Sequence, residues 1–494
     1  MSDPLLQAAV LDAHAEYRTS LLDDIIDQAR LGQSESEKAY SRDLIGELVD
    51  QVLAGTVTIS RDLASGLDLR IAELDRLMSE QLNAIMHHPD FQALEASWRG
   101  LKYLVGHTET GTMLKIKLLS ASKAELVKDF RNSSDFDQSA LFKKIYEEEY
   151  GTFGGAPYAC FVGDYEFGRG PEDMYLLEEL SHVAAAAHAP FITAASSQLF
   201  GMESFIDIGK PRSLARTFET VEYAKWKSFR ESDDSRYVGM VLPHYLGRLP
   251  YGPDTTPVEA FNFEEDVDGT DHGRYLWCNA AYAYGARLTA AFAKHGWLAA
   301  IRGVEGGGLV EGLPTHTFKT DEGDVALKCP TEVAITDRNE KQLSDLGFMA
   351  LVHCKNTDYA AFFSGASAQK AKVYASDSAN ANARLSTQLP YLFAVSRIAH
   401  YLKAIMRDKI GSFASRQGVE EFLNTWLAQF VLLDDSASQE AKARSPLREA
   451  RVEVVEIPGR PGCYRAAVFL QPHFQLDELT VSLRLVADLP QSSR

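Results

Sequence analysis

Apolar side chains recur at helical spacing through the first hundred residues. The hydrophobic positions of residues 36–53 fall on one side of a helix, and those of about 64–87 and 90–106 do the same in two longer helices. Between the first two lies GTVTIS (55–60), an alternating β-branched stretch typical of a short strand. The pattern therefore predicts helices around a lone strand, and a lone strand needs a pairing partner from elsewhere.

The third of these helices carries a regular apolar stripe within HPDFQALEASWRGLKYLV (88–105). Asp90 can cap the helix, and Gly100 predicts a close contact with another helix. Because the stripe is continuous, we expect it to face the core. The helical packing residues of this stripe are Phe91, Leu94, Trp98 and Leu101.

From about residue 112 the pattern becomes mixed. YACFVGD (158–164) and FITAAS (191–196) are nearly continuous apolar runs, as expected for strands buried on both faces, and a helical segment separates them. This arrangement predicts a βαβ unit with parallel strands. Further strands are expected at 236–242, 348–354 and 359–363, and a helix near 274–295. The predicted fold class is α/β (α+β overall), with a central mixed α/β body.

The last third begins with two helices, at 385–411 and 417–433, followed by a polar stretch. Three alternating strands come after it, at 450–457, 463–470 and 479–486, and the turn-forming run PGRPG joins the first two. Little chain remains to cover their apolar positions, so they need a partner surface from the same chain or another.

The sequence predicts that the first thirty residues form a separate arm. Ser20 can cap a short helix in SLLDDIIDQA (20–29), and the polar run after Gly32 ends it. This helix either docks on its own domain or detaches to fill a groove on a partner. Its apolar stripe consists of Leu21, Leu22, Ile25, Ile26 and Ala29.

These patterns divide the chain into six predicted segments. They are an N-terminal arm (1–34), a helical region with a linker strand (35–110), the α/β body (111–380), a second helical region (381–433), a hinge (434–446) and the C-terminal strands (447–494).

Composition narrows the class of protein. The 494 residues carry a formal charge of −19, which disfavours general nucleic-acid binding because such binding needs a basic surface. No apolar run approaches the length of a membrane span, and the first residues lack the pattern of a signal peptide. Five cysteines lie far apart without a CxxC pair, so disulfides or a zinc site are not expected, and we expect a cytoplasmic protein.

The glycine-rich stretch GVEGGGLVEGLP (303–314) raises the question of nucleotide binding. Gly307 and Gly312 have the P-loop spacing, but Leu313 and Pro314 stand where lysine and a hydroxyl residue are required. Glu311 occupies the position of the third glycine of a dinucleotide-binding motif. We interpret the stretch as backbone that needs positive φ or a close approach at a packed junction.

Asp164 and Glu166 lie just past a buried strand, the usual position of ligand sites in α/β sheets. A carboxylate pair there could perform acid–base catalysis, but we favour helix capping and surface charge as its explanation. An α/β enzyme or nucleotide-binding protein that uses Asp164, Glu166 and the 303–312 loop is thus the alternative function. No other catalytic motif is recognisable, and we assign no catalytic residue, cofactor or metal.

Four blocks of sequence resemble, in order, the large subunit of the type VI secretion tail sheath, the TssC/VipB family. They are FQALEASWRGLKYLV (91–105), FVGDYEF (161–167), IRGVEGGGLVEGLP (301–314) and KCPTEVAITDRNEKQLSDLGF (328–348), and the resemblance runs over essentially the whole chain. It implies a cytoplasmic structural protein rather than an enzyme.

The resemblance also implies a set of partners. The large subunit of this family pairs with a small one (TssB/VipA), and the helical hetero-polymer surrounds a tube of Hcp hexamers and contacts baseplate components. Contraction propels the tube, and the AAA+ unfoldase ClpV dismantles the contracted sheath. Residues 20–29 match the place and pattern of the ClpV-binding helix. A phage-type sheath that needs no small subunit is a further alternative.

Strands exchanged between protomers link sheaths of this type, which would explain the strands that lack partners. The stretches 30–36 and 434–446 would then be hinges. The expected inter-subunit strand residues are Thr56, Val57, Ile59, Val452, Val454, Ile457, Ala467, Phe469, Val481, Leu483 and Leu485.

Overall fold

The computed structural model describes residues 23–28, 30, 34–54, 63–211, 213–320, 323–410, 415–458, 464–473 and 475. The chain divides into two compact units. Unit 1 consists of Met1–Ile85 and Tyr251–Glu265, and unit 2 consists of Met86–Pro250 and Asp266–Arg494.

The described α-helices are α1 (Glu35–Leu53), α2 (Leu63–Met86), α3 (Pro89–Gly106), α4 (Lys123–Asn132), α5 (Ala140–Phe142), α6 (Pro171–Ala187), α7 (Leu214–Thr217), α8 (Ala224–Glu231), α9 (Ala280–His295), α10 (Asp337–Asp345), α11 (Asp377–Ser386), α12 (Leu389–Asp408), α13 (Arg416–Ala428) and α14 (Gln439–Arg444). A π-helix, Lys143–Tyr150, continues α5.

The described strands are β1 (Phe161–Phe167), β2 (Phe191–Ala195), β3 (Val238–Leu242), β4 (Tyr245–Leu246), β5 (Trp277–Cys278), β6 (Leu309–Val310), β7 (Thr317–Lys319), β8 (Val325–Leu327), β9 (Phe348–His353), β10 (Ala360–Phe362), β11 (Leu447–Glu456) and β12 (Tyr464–Pro472). Short 3₁₀ turns occur at Phe136–Gln138, Ser197–Phe200, Phe205–Gly209, Val221–Tyr223, Asp234–Tyr237 and His272–Arg274.

In unit 1 the described residues before Tyr251 are mainly helical, whereas 251–265 form turns and an isolated bridge between Tyr251 and Thr256. Helical residues 23–28 precede α1, and Ser34 caps α1 in a reciprocal capping box with Glu37. The predicted strand 55–60, with Thr56, Val57 and Ile59, lies outside the described residues, so its pairing remains a prediction.

A six-stranded sheet of order β1-β2-β3-β9-β10-β6 organises unit 2. The first four strands are parallel, and β10 and β6 run antiparallel to their neighbours. Helix α6 connects β1 to β2, which confirms the predicted βαβ unit, and β3, β9 and β10 confirm the three further strands. The predicted fold class, α/β with a mixed sheet, is correct.

Successive residues of the central strands point to opposite sides of this sheet, and both sides are covered. Met240 and Phe348 belong to the core on the side of α6. Val241 and Met349, their chain neighbours, belong to the core on the side of α9 and the start of α12. Strands covered on both faces need apolar residues at every position, which is why the sequence shows continuous runs rather than alternation.

The C-terminal part of unit 2 has its own hydrophobic cluster. Strands β11 and β12 form an antiparallel hairpin that packs on α13, while Ile398 and Leu402 of α12 belong to the same cluster. The first two predicted C-terminal strands are therefore confirmed as strands. The third, at 479–486, lies outside the described residues with Val481, Leu483 and Leu485.

Candidate assembly surfaces

Helix α3 is fixed to the sheet body by its small residues. A Cβ atom on Gly100 would lie 2.3 Å from Cδ2 of the Tyr282 ring in α9, so only glycine permits this approach. Leu104, one turn further along, is buried with Tyr282 and Ala286. The close helix contact predicted from Gly100 is confirmed.

An ion pair strengthens the same attachment. Arg248 Nε donates to Glu95 Oε1 at 2.8 Å, and Arg99 Nε donates to the same oxygen at 2.6 Å. Burial alone would raise the pKa of Glu95, but its hydrogen bonds with Arg248 and Arg99 outweigh burial and hold that pKa below its usual value. Helix α3 is thus a rigid ridge on the body.

The expectation that the apolar stripe of α3 faces the core is wrong for three of its four packing residues. Phe91, Leu94 and Trp98 are 39%, 57% and 62% exposed, and only Leu101 packs partly against the cluster around Leu104. The reason is that α3 presents two apolar faces and α9 covers the narrower one, which contains Gly100. The wider face is an apolar patch without cover among the described residues, a feature typical of interaction surfaces.

The N-terminal helical residues 23–28 lie against α1 in unit 1. Asp27 Oδ1 accepts a hydrogen bond from Lys38 Nζ at 2.7 Å, and Asp23 Oδ1 accepts one from Arg42 Nε at 2.6 Å. Ile26 is 2% exposed, whereas its neighbour Ile25 is 49% exposed. Leu21, Leu22 and Ala29 lie outside the described residues. This helix is therefore docked on its own chain. Ile26 is covered there, and Ile25 remains exposed for contact with a partner.

The hairpin of β11 and β12 has a covered face and an open one. Val452 and Val454 are buried, and Asn424 of α13 both donates to the Val452 carbonyl and accepts from its amide, each at 2.9 Å. Ile457 follows the end of β11 and is half-buried. On β12, Ala467 and Phe469 are exposed, and Arg451 stacks over the Phe469 ring. Side chains of α13 and the backbone of residues 430–432 bond the outer edge of β11, whereas β12 pairs with no described strand other than β11.

The carboxylates proposed for the alternative enzyme do not form a free acid–base pair. Glu166 Oε1 lies 2.8 Å from His244 Nε2, and Glu332 Oε2 lies 2.6 Å from His244 Nδ1. Burial opposes charge on this imidazole, but the two carboxylates outweigh it and raise the pKa of His244 to about 10. His244 is thus an imidazolium held between two carboxylates, a stable ion cluster in which Glu166 is occupied.

Sequence reasoning missed this cluster because its members are far apart in the chain. His244 is 78 residues from Glu166 and 88 from Glu332, and no local spacing links them. Asp164, the other predicted carboxylate, lies near Tyr282 instead. Burial and then the charge of Asp164 raise the pKa of the Tyr282 hydroxyl.

The glycine-rich loop uses its backbone for internal contacts. Gly303 N donates to Phe362 O at 2.7 Å, and Gly308 N donates to Gly303 O at 2.8 Å. Gly303, Gly307 and Gly312 have positive φ angles of 72°, 94° and 68°. The positive φ angles and the close backbone approach that were predicted for this loop are therefore confirmed.

Among the described residues, no group of three or more His, Cys, Asp or Glu side chains has the arrangement of a metal site. No helix in the described ranges combines the length and the hydropathy of a membrane span.

The sequence matches the profiles of a known family in two blocks. The profile described as "EvpB/VC_A0108, tail sheath N-terminal domain" matches residues 68–369, and "EvpB/VC_A0108, tail sheath gpW/gp25-like domain" matches residues 378–489. The chain belongs to the VipB family of tail sheath proteins. The four blocks that resemble this family in the sequence led to the correct assignment.

A curated relative supports the same assignment. The type VI secretion system sheath protein TssC1 of Pseudomonas aeruginosa is 49% identical over 481 residues, which span 97% of this chain and 96% of the relative. This VipB-family chain is a homologue of a type VI sheath protein, and that family is structural.

Solved contractile injection assemblies are similar to this VipB-family chain only distantly. A chain of the anti-feeding prophage (AFP) baseplate matches with a TM-score of 0.35 and 9% identity, over 64% of this chain and 66% of that one. The contracted sheath complex of an extracellular contractile injection system, PVC, matches with a TM-score of 0.34 and 8% identity, over 63% and 68%. These values are too low to carry an argument, so the assignment rests on the sequence.

Proposed function

We propose that this chain is the large subunit of a contractile sheath that acts in the cytoplasm. It co-polymerises with a small subunit of the TssB/VipA type around a tube of Hcp, docks on baseplate components, and propels the tube when it contracts. The ATP-driven unfoldase ClpV then recycles it, and the chain itself performs no catalysis and needs no cofactor. The observation that carries this proposal is the uncovered apolar face of α3, in a chain of a sheath family.

Unit 1 supports the need for a second subunit. Tyr40 and Leu44 of α1 are exposed, as are Ile71, Leu74 and Leu77 of α2. Amphipathic helices of this kind are stable when an apolar surface covers their stripes. A small helical subunit that lies along these stripes would provide that surface, and a chain that polymerises unaided would have to cover them with copies of itself.

Electron microscopy tests this directly. We expect hollow tubes when the chain is co-expressed with a candidate small sheath subunit, and discrete particles when it is expressed alone. Tubes formed by the chain alone would favour the phage-type sheath. Monodisperse particles in both samples, with a ligand bound near Glu166, would support the alternative enzyme.

The hairpin suggests how protomers remain linked during contraction. The outer edge of β12 pairs with no described strand, and strand addition at such an edge supplies main-chain hydrogen bonds along its length. We place the strand from 479–486, or its equivalent from a neighbouring protomer, at this edge of β12.

Truncation after Gln475 tests this link more cleanly than removal of the whole segment from residue 447. Removal from 447 would also uncover Leu423 and Leu427 of α13, which lie in the same buried cluster as Val452 and Val454. We expect the chain that ends at Gln475 to keep its near-ultraviolet circular dichroism but to form no tubes. Normal tubes from this truncated chain would exclude the third strand as a link.

The N-terminal helix is the proposed ClpV ligand. Because Ile26 is covered and two ion pairs attach the helix to α1, ClpV binding that uses the whole stripe must first separate the helix from its own chain. Ile25→Asp changes a side chain that is already available, so we expect it to slow ATP-driven disassembly and to leave tube formation intact. Asp24→Ala, on the same exposed turn, is the matched control. Equal disassembly rates for both variants would contradict the docking proposal.

A further inference from the structure

Cys329 and His353 form a pair that neither the sheath assignment nor the fold explains. Cys329 Sγ lies 3.5 Å from His353 Nδ1 and 3.2 Å from Thr331 Oγ1. Cys329 follows β8, and His353 is the last residue of β9. The two residues are 24 positions apart, and the fold brings them together.

The hydrogen-bond network fixes which nitrogen of His353 faces the thiol as an acceptor. His353 Nε2 lies 2.8 Å from the Thr357 carbonyl oxygen, which can only accept, so Nε2 carries a proton. The neutral imidazole therefore presents the lone pair of Nδ1 to Cys329. This is the arrangement in which a histidine activates a thiol, with a third group that orients the base.

The electrostatic consequences agree with this geometry. Burial alone would raise the pKa of Cys329, but hydrogen bonds with His353 and Thr331 outweigh it and lower the pKa below its usual value. Burial likewise opposes charge on His353, but its bonds with Cys329 and the Thr357 carbonyl raise the pKa of the imidazole. Both shifts favour a thiolate–imidazolium pair. Lys328, whose ammonium lies over the Tyr275 ring, is the neighbouring cation in the chain.

The other described cysteines differ from Cys329. Burial raises the pKa of Cys160 and of Cys278 to about 12, so neither thiol ionises at physiological pH. Cys354 is exposed and lies next to His353 in the chain. Cys463 lies outside the described residues. Cys329 alone among the four combines partial exposure with an oriented histidine.

The backbone around Cys329 is held on both sides. Lys328 N donates to His316 O, and Leu246 N donates to Pro330 O, each at 2.8 Å. Glu332 N donates to His244 O at the same distance. The thiol is therefore presented from a fixed position rather than from a free loop, as a preorganised reactive group requires.

We propose that Cys329 is a modification site that forms a mixed disulfide with small disulfides such as oxidised glutathione. The thiol proton moves to His353 Nδ1, and the thiolate attacks one sulfur of the disulfide. The Cys329–sulfur bond forms as the S–S bond of glutathione disulfide breaks, and the departing glutathione thiolate takes up the proton from His353. One thiol and one disulfide thus give a mixed disulfide and one reduced glutathione, and no further oxidant is needed.

Peptide mapping by mass spectrometry tests the proposal on the full-length chain, alone and in complex with a small sheath subunit. The reduced protein is incubated with oxidised glutathione at pH 6, where an ordinary exposed thiol is less than about 1% ionised. We expect the glutathione adduct on the peptide that contains Cys329 first. An adduct that forms first on Cys354, or at equal rates on both, would overturn the proposal.

Variants separate activation by His353 from simple accessibility. Cys354→Ser should leave the rate at Cys329 unchanged, and Cys329→Ser should abolish the fast reaction. His353→Gln should slow modification of Cys329 at pH 6 by about tenfold or more and move its pH profile towards that of an ordinary thiol. Circular dichroism establishes whether each variant is folded. An unchanged profile in folded His353→Gln protein would show that the histidine has no activating role.

Discussion

The sheet of unit 2 and helices α1 and α2 of unit 1 contain the same kinds of apolar residue, but the sheet buries them and the helices expose many of them. In the sheet, Phe348 and Val241 are 0% exposed, whereas Leu69 and Ile71 of α2 are 71% and 56% exposed. Both regions show strong hydrophobic periodicity. Hydrophobic periodicity therefore identifies a face that must be covered, but it does not reveal whether the cover comes from the same chain or from another one.

The largest expected difference between the two regions is in stability. Phe348 packs against the rings of Phe200, Phe218 and Trp226 with centroid distances of 4.8, 5.8 and 5.6 Å. Phe348→Ala should lower the free energy of unfolding by about 3–5 kcal/mol, because it removes a large buried side chain and leaves a cavity. Ile71→Ala should change it by less than about 0.5 kcal/mol in the isolated chain.

Denaturant unfolding of the purified chain measures both variants. Equal losses would mean that α2 is packed within its own chain as closely as the sheet. That result would remove the distinction between the two regions and weaken the case for a small subunit.

Two glycines of the loop in the body also differ in how closely they are packed. A Cβ on Gly308 would lie 2.4 Å from the Phe362 carbonyl oxygen, whereas one on Gly303 would meet nothing within 4 Å. Gly303→Ala should cost only about 1 kcal/mol, for its positive φ. Gly308→Ala should cost about 3 kcal/mol, because backbone must move to accept the methyl group. Thermal unfolding compares the two, and equal costs would mean that the loop is not closely packed.

The sequence predicts the buried sheet better than the surfaces. Strands β1 and β2 were predictable because burial on both faces leaves continuous apolar runs with no other simple explanation. On α3, the large side chains Phe91, Leu94 and Trp98 led to the prediction that their face is buried, which is wrong. The buried contact with α9 depends on Gly100, because a residue without a side chain lets the two helices approach closely. His244 and Glu332 meet only through the fold, so no sequence pattern could reveal their pairing. Residues 55–60 and 479–486 remain predictions.

The ion cluster at His244 predicts a pH dependence that belongs to the body alone. Because the pKa of His244 is raised to about 10 from an unfolded value near 6.5, its stabilisation is fully present below about pH 6.5 and is lost as the pH rises towards 10. Hydrogen bonds with His244 and His272 overcome burial and lower the pKa of Glu332 to about 2. The stabilisation from Glu332 is therefore present above about pH 4.5 and is lost as the pH falls towards 2.

Urea midpoints at pH 6.5, 8 and 9.5 test the alkaline limb. His244→Gln should flatten the fall of the midpoint over this range. His182→Gln is the matched control, since His182 Nδ1 also lies 2.8 Å from a carboxylate oxygen, that of Asp234, but nearer the surface. If His182→Gln flattens the curve as much as His244→Gln, the pH dependence does not arise from the buried cluster.

The smallest expected effect on stability accompanies a large expected effect on assembly. Trp98 is 62% exposed on the open face of α3, so Trp98→Ser should change the free energy of unfolding by less than about 0.5 kcal/mol. If that face is an interface with another subunit, the same substitution removes the type of aromatic side chain that dominates binding energies, and it should reduce tube formation or binding to the small subunit at least tenfold. Lys102→Ser, on an exposed polar position of the same helix, should change neither quantity.

Denaturant unfolding and pull-down with the small subunit measure the two effects separately. Trp98→Ser protein that binds and polymerises normally would show that this apolar face lies outside the interface, and the cover for α3 would then have to be sought in another partner.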